Sequence, residues 1–137
     1  MRASPKADAF VPVPDRSGVV LACVAAWMIP GAAHLLRGQR RKGLVFFFVL
    51  LLMDGLGVWL GGRLFPFDVH EPLVALAAAS EWMMGAPRLI ASMSGIGQGA
   101  VTAVTYEYGN TFLICAGLLN TLVVLDAFDI ASGRKSA

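Results

Sequence analysis

The chain has 137 residues, of which 57% are hydrophobic and only 15% charged, well short of the roughly 25% charged residues of soluble domains. The mean hydropathy is +0.69, and the formal net charge is +2. With its cations gathered at the ends of apolar runs, the chain offers no basic face for nucleic acid and reads as one membrane-embedded unit.

Residues 1–17, MRASPKADAFVPVPDRS, predict an extended tail ahead of a single membrane domain, 18–137. Asp8, Asp15 and the prolines interrupt any apolar run there, so the pattern is not that of a cleavable signal. The first predicted helix, 18–36, is GVVLACVAAWMIPGAAHLL. Pro30-Gly31 predicts a kink within one spanning helix, because proline removes a backbone donor and clashes with the preceding turn.

The loop Arg37-Gly38-Gln39-Arg40-Arg41-Lys42 follows, with four cations in six positions. The positive-inside rule makes it cytoplasmic, which puts the N-terminus outside. Arg2, Lys6 and Arg16 count against that orientation. Arg37, Arg40, Arg41 and Lys42 also suit anionic lipid head groups.

The second helix, 43–62, is GLVFFFVLLLMDGLGVWLGG. Twenty residues rise about 30 Å, the thickness of a bilayer's hydrocarbon core. Gly57 and Gly61 form a GxxxG pattern that permits close helix packing, and Gly55 and Gly62 extend the smooth face. That face predicts association with partner helices.

The third helix, 72–93, is half polar. It is long enough to span, but Glu81 and Arg88 each cost about 2.5–3.5 kcal/mol on insertion scales, while each of its Leu, Ile and Val residues returns only about 0.3–0.6. Spaced seven apart, the two charges share a helical face. A membrane-surface or partly inserted helix is expected in preference to a fourth span. Ser94 to Asn110 reads as a glycine-rich loop with a β-prone piece at Ala100 to Tyr106. The last helix, 111–131, ends at Gly133-Arg134-Lys135, which is ordinary helix-stop chemistry. No internal repeat is read from the sequence. The expected fold is an all-α integral membrane protein with three firm transmembrane helices and one half-polar membrane-associated helix.

Asp54 stands out, since an ionisable residue near mid-bilayer is a functional hypothesis by default. It suits a proton or cation site, or a structural hydrogen bond to Asn120 at similar depth in the last helix. Asp126 and Asp129 are one turn apart. They suit an acidic pair facing Arg134, Lys135 or the basic loop, or a metal site shared with Glu107 or Glu81. His34 is a weak cofactor candidate, because a neutral imidazole can ligate haem iron or a pigment magnesium. Cys23 and Cys115 read as small buried hydrophobes. No nucleophile–base arrangement, phosphate loop or metal signature appears, so no catalytic site, metal or obligate cofactor is expected.

Two resemblances follow from particular residues. Ile29-Pro30-Gly31-Ala32-Ala33-His34-Leu35-Leu36-Arg37-Gly38, with Lys42-Gly43-Leu44, resembles the proline–glycine hairpin of small TM2-like membrane domains, with Ala33 where that pattern has its second glycine. Tyr106-Glu107-Tyr108-Gly109-Asn110-Thr111-Phe112, Ala116-Gly117-Leu118-Leu119-Asn120, Leu125-Asp126-Ala127-Phe128-Asp129-Ile130-Ala131 and Gly133-Arg134-Lys135 resemble the DUF6677 family of small bacterial membrane proteins. That family brings no activity with it.

The expected function is a non-catalytic accessory or scaffold subunit of a larger bacterial inner-membrane complex, a respiratory or photosynthetic assembly being one plausible host. Its partners would be other membrane subunits and phospholipids. The alternative is a small homo-oligomeric proton- or ion-conducting protein using Asp54.

Overall fold

The computed structural model describes residues 15–136, so most of the expected tail lies outside the described residues. Six helices form: α1 (Arg16–Met28), α2 (Ala32–Leu36), α3 (Arg40–Trp59), α4 (Pro72–Trp82), α5 (Ala86–Met93) and α6 (Tyr106–Ala131). Among the described residues the only β pairing is one isolated bridge, Arg63 to Gln98. Two helices, α3 and α6, are long and apolar enough to cross a membrane.

These two pack antiparallel. Near the end of α3, a Cβ on Gly57 would lie 2.7 Å from Leu113 Cγ, and one on Gly62 would lie 2.6 Å from the Gly109 carbonyl carbon. The backbones therefore approach as only glycine allows. Arg63 N–H donates to Asn110 Oδ1 at 2.8 Å and ties the same end. At the other end Lys42 and Asp126 line one cleft. That second end carries Arg37, Arg40 and Arg41 and is called the basic end below. The glycine face of α3 is thus spent on α6, inside the chain. Gly61, at φ +86°, belongs to the turn after α3 and lies over Ala100.

The expected span 18–36 is two helices that turn back on themselves. Helix α1 stops at Met28, Ile29 is extended, and Gly31 takes φ +79°. A 13-residue helix rises about 20 Å, short of the hydrocarbon core. Ala22 and Ala26 of α1 and Ala33 of α2 pack with Ala127 and Ala131 of α6. The Ala26 and Trp27 carbonyls reach Asn120, about 16 Å along α6 from Ala131 at ~1.5 Å per residue. Helix α2 then returns, and Arg37 Nη1 donates to the Ile130 carbonyl at 3.5 Å. The segment enters and leaves at the basic end. Arg16 therefore joins the other cations, and α1 starts at the basic end rather than opposite it.

The segment 72–93 is a second hairpin, broken at Met83–Gly85, where Gly85 has φ +65°. It comes from the opposite end. Its tip carries Met84, which is fully buried with Leu50, Ala116 and Val123. Helix α5 leads back toward Gly97, whose carbonyl accepts from Leu64 N–H at 2.8 Å beside the end of α3. Ala100 to Tyr106 forms turns and the start of α6 instead of a strand, because Gly95, Gly97 and Gly99 all take positive φ and curl the chain.

The hairpins expose an internal repeat that the linear reading missed. Leu21-Ala22 and Trp27-Met28, with Gly31-Ala32-Ala33-His34-Leu35, match Leu76-Ala77 and Trp82-Met83, with Gly85-Ala86-Pro87-Arg88-Leu89. In the long helices Gly43, Phe46, Leu52, Asp54 and Leu56 match Gly109, Phe112, Leu118, Asn120 and Leu122. Each half is a short helix, a break, a shorter helix and a long one, and the halves run in opposite directions. Inverted repeats of broken helices are a recurring plan in membrane proteins.

Candidate functional site

The two hairpin tips meet beside the middle of α6. A helix that ends in apolar surroundings leaves carbonyls without partners. Two half-helices end here, and side chains supply the donors. Trp27 Nε1 donates to the Trp82 carbonyl at 2.9 Å. Asn120 is fully buried, and its Nδ2 donates to the Met83 carbonyl at 2.7 Å. The same amide lies 3.4 Å from the Ala26 and Trp27 carbonyls. An amide has two protons for three acceptors, so the first goes to Met83 and the second is shared. The expected Asp54–Asn120 hydrogen bond does not form: the Asn120 amide protons are turned to the half-helix ends, and its buried Oδ1 has no partner.

Glu81 and Arg88 sit just beyond the tip, 2% and 5% exposed. Glu81 Oε2 accepts from Phe65 N–H at 2.9 Å, and Arg88 Nη2 donates to the Phe65 carbonyl at 2.7 Å. The two charged groups lie 3.8 Å apart, and the guanidinium stacks 4.7 Å from the Trp82 ring centre. Glu81 Oε1 and Arg88 Nε have no hydrogen-bond partner. Both charges therefore grip the loop after α3 as well as each other.

Asp54 is 7% exposed and lines an apolar cleft of about 560 Å³ with Pro30, Phe47, Leu51, Pro87 and Ile90. The first hairpin break and the start of α5 thus border it. Burial and the Arg88 charge act on its carboxylate, with no hydrogen-bond donor among the described residues. On the same cleft, a Cβ added to Gly55 would meet nothing within 4 Å.

A second polar group lies at the basic end. His34 Nε2 is 2.8 Å from Asp126 Oδ2, and Lys135 Nζ donates to Asp126 Oδ1. The carboxylate holds the Lys135 ammonium above its ordinary pKa through that hydrogen bond. The His34 ring is enclosed and meets Phe46 edge-on at 5.1 Å. Ligating a haem or pigment through Nε2 would mean breaking the bond to Asp126. Glu107 opens α6, about 28 Å of helix away from Asp126 at ~1.5 Å per residue, so the two share no site. Asp126 takes Lys135, one of its expected partners, and His34 is an added one; Asp129 makes no side-chain ion pair among the described residues. Replacing His34 with alanine should lower the thermal stability of the solubilised protein by ~1–3 kcal/mol, the scale of a severed buried hydrogen bond. In the Asp126→Asn background the same change should cost less, and thermal melts of the four proteins check the coupling.

Arg40, Arg41 and Lys42 form the exposed first turn of α3. Cations there oppose the helix dipole, so they are not placed for helix stability.

The model of DUF6677, a family of unknown function, matches residues 21–136. No curated protein and no solved structure matches the chain.

Proposed function

Because the chain belongs to the DUF6677 family, whose function is unknown, its own geometry has to carry the reading; we propose a small non-catalytic accessory subunit of a larger bacterial inner-membrane complex. In this reading α3 and α6 cross the bilayer and the basic end is cytoplasmic. The first hairpin then dips in from the cytoplasm and the second from the other face.

The observation that carries the reading is the Asp54 cleft. A carboxylate set in an apolar cleft without a donor is costly. The cleft is open, and Gly55 leaves room for a close approach. A partner helix seated there would supply the missing donor and cover Phe47 and Leu51. The inward use of Gly57 moves the docking face from the glycine pattern to this cleft.

Gentle-detergent purification of a tagged copy from its native membrane, followed by native-gel mass analysis, tests the proposal. Stoichiometric larger subunits are the expected result. A protein that runs alone, or only with copies of itself, overturns it.

A second reading, conduction of protons or cations by a homo-oligomer, is favoured by the half-helix carboxyl ends that converge at mid-depth. Such ends coordinate cations in transporters built of broken helices. Asp54→Asn separates the two. An amide keeps the shape and brings its own donors, so a subunit should retain its partners and stability. A conductor reconstituted in liposomes should lose its proton flux.

A further inference from the structure

A polar cleft of about 320 Å³ lies at the end opposite the basic loop, bounded by Arg63, Phe65, Arg88, Ser92 and Gln98. Two guanidinium groups line it, and no carboxylate does. Arg88 is 5% exposed, and its buried Nε has no hydrogen-bond partner. Glu81, the acid nearest Arg88, lies 3.8 Å from its Nη2, beyond hydrogen-bond distance, and accepts instead from Phe65 N–H. Two arginines lining one polar cleft, with a guanidinium N–H of one of them left without a partner, suit an anion with several acceptor oxygens.

The surroundings say what brings that anion. Ile96 borders both this cleft and the apolar cleft along α3 and α5. Trp59, one turn before Arg63, is 79% exposed, as tryptophans at a membrane–water interface are. An anion bound between Arg63 and Arg88 therefore sits at head-group level, and its acyl chains leave over Ile96 into apolar surroundings. Arginine is the residue of choice for planar, paired recognition of phosphate oxygens.

We propose that this cleft binds the phosphate head group of an anionic phospholipid in the leaflet opposite the basic loop. The site is separate from Arg37, Arg40, Arg41 and Lys42, which lie at the other end of the bundle.

The test is native mass spectrometry of the delipidated full chain in detergent, titrated separately with phosphatidylglycerol, phosphatidylcholine and inorganic phosphate. One phosphatidylglycerol should be held in preference to phosphatidylcholine, and free phosphate should neither bind nor compete at matched concentration. Arg63→Gln should weaken that binding roughly tenfold, the effect of one lost charge-assisted hydrogen bond. Ser92→Trp, at an exposed position on the rim, should block the cleft while sparing the buried Arg88 pairing. Arg41→Gln at the basic end should leave the site unchanged. Equal retention of the two lipids overturns the proposal, as does undiminished binding in both cleft variants. Displacement by inorganic phosphate also overturns it, since the site would then serve a free anion.

Discussion

Gly117→Val should leave no stably folded protein. A Cβ at Gly117 would run into the Ser80 carbonyl oxygen and lie 2.6 Å from its carbonyl carbon. Both obstacles are backbone, so no rotamer change relieves the overlap. Helix α4 must move off α6, and that withdraws Met84 from Leu50, Ala116 and Val123. It also draws the Met83 carbonyl away from Asn120. Overpacking alone costs about 1–3 kcal/mol, and the loss of the Met84 contacts adds a buried-methionine share of ~2 kcal/mol or more. Gly117→Ala should fall between wild type and valine. Gly55→Ala, in open space on α3, should leave stability unchanged or slightly raised. Thermal melts in detergent, with gel filtration to detect aggregation, rank the variants. A Gly117→Val protein that melts like wild type would show that α4 does not seat on α6 as described.

Asn120→Leu should be the costliest polar substitution. Leucine shares asparagine's branching and number of side-chain heavy atoms, with bulkier methyls, and donates nothing, so the Met83, Ala26 and Trp27 carbonyls lose their donor together. An acceptor left unpaired in a dry interior costs about 1–3 kcal/mol, while single intramembrane hydrogen bonds average nearer 0.6 kcal/mol. Three acceptors on one amide put the expected loss at ~2–5 kcal/mol. Asn120→Asp should fare no better, since a carboxylate would face carbonyl oxygens. The distinguishing readout is local. Amide hydrogen exchange should rise at both hairpin tips, around Trp27 and Met83, before it rises in α3. Unchanged protection at either tip would mean that Asn120 does not hold both.

Some of this was legible in the sequence and some was not. The long apolar helices were, because α3 and α6 are continuous apolar runs with no proline inside, although α6 begins at Tyr106, ahead of the expected start at Thr111. The stop after Ala131 was as well: Gly133 takes φ +74°, and the Arg134 and Lys135 amides close on the Asp129 carbonyl. Asp126 was open to Arg134, Lys135 or the basic loop in the sequence; Lys135 reaches it only through the turn after Ala131, and the His34 contact depends on where α2 returns. The hairpins were misread for one reason. Pro30-Gly31 is compatible with a kink or with a reversal, and what decides is a contact distant in sequence. A Cβ on Gly31 would strike the Gly43 carbonyl, so that glycine is where the returning chain crosses α3. Glu81 and Arg88 were placed together by helical periodicity. They do approach, but across the Gly85 break rather than along one helix face. The repeat was hidden because Pro30 has no counterpart in the second half, which shifts the register by one residue between Met28 and Gly31.

Since Asn120 lies in the final helix, the order of synthesis matters. A nascent chain that has reached Met93 has made both hairpins but not the residue that closes their tips. Until α6 follows, the Met83, Ala26 and Trp27 carbonyls lack the donor that Asn120 gives them. Neither hairpin is fully capped by itself, so completion of the fold waits on the last segment to be translated. Folding of this protein should therefore be a late and concerted event, and a chain arrested before Asn120 should remain a substrate for chaperones and quality-control proteases.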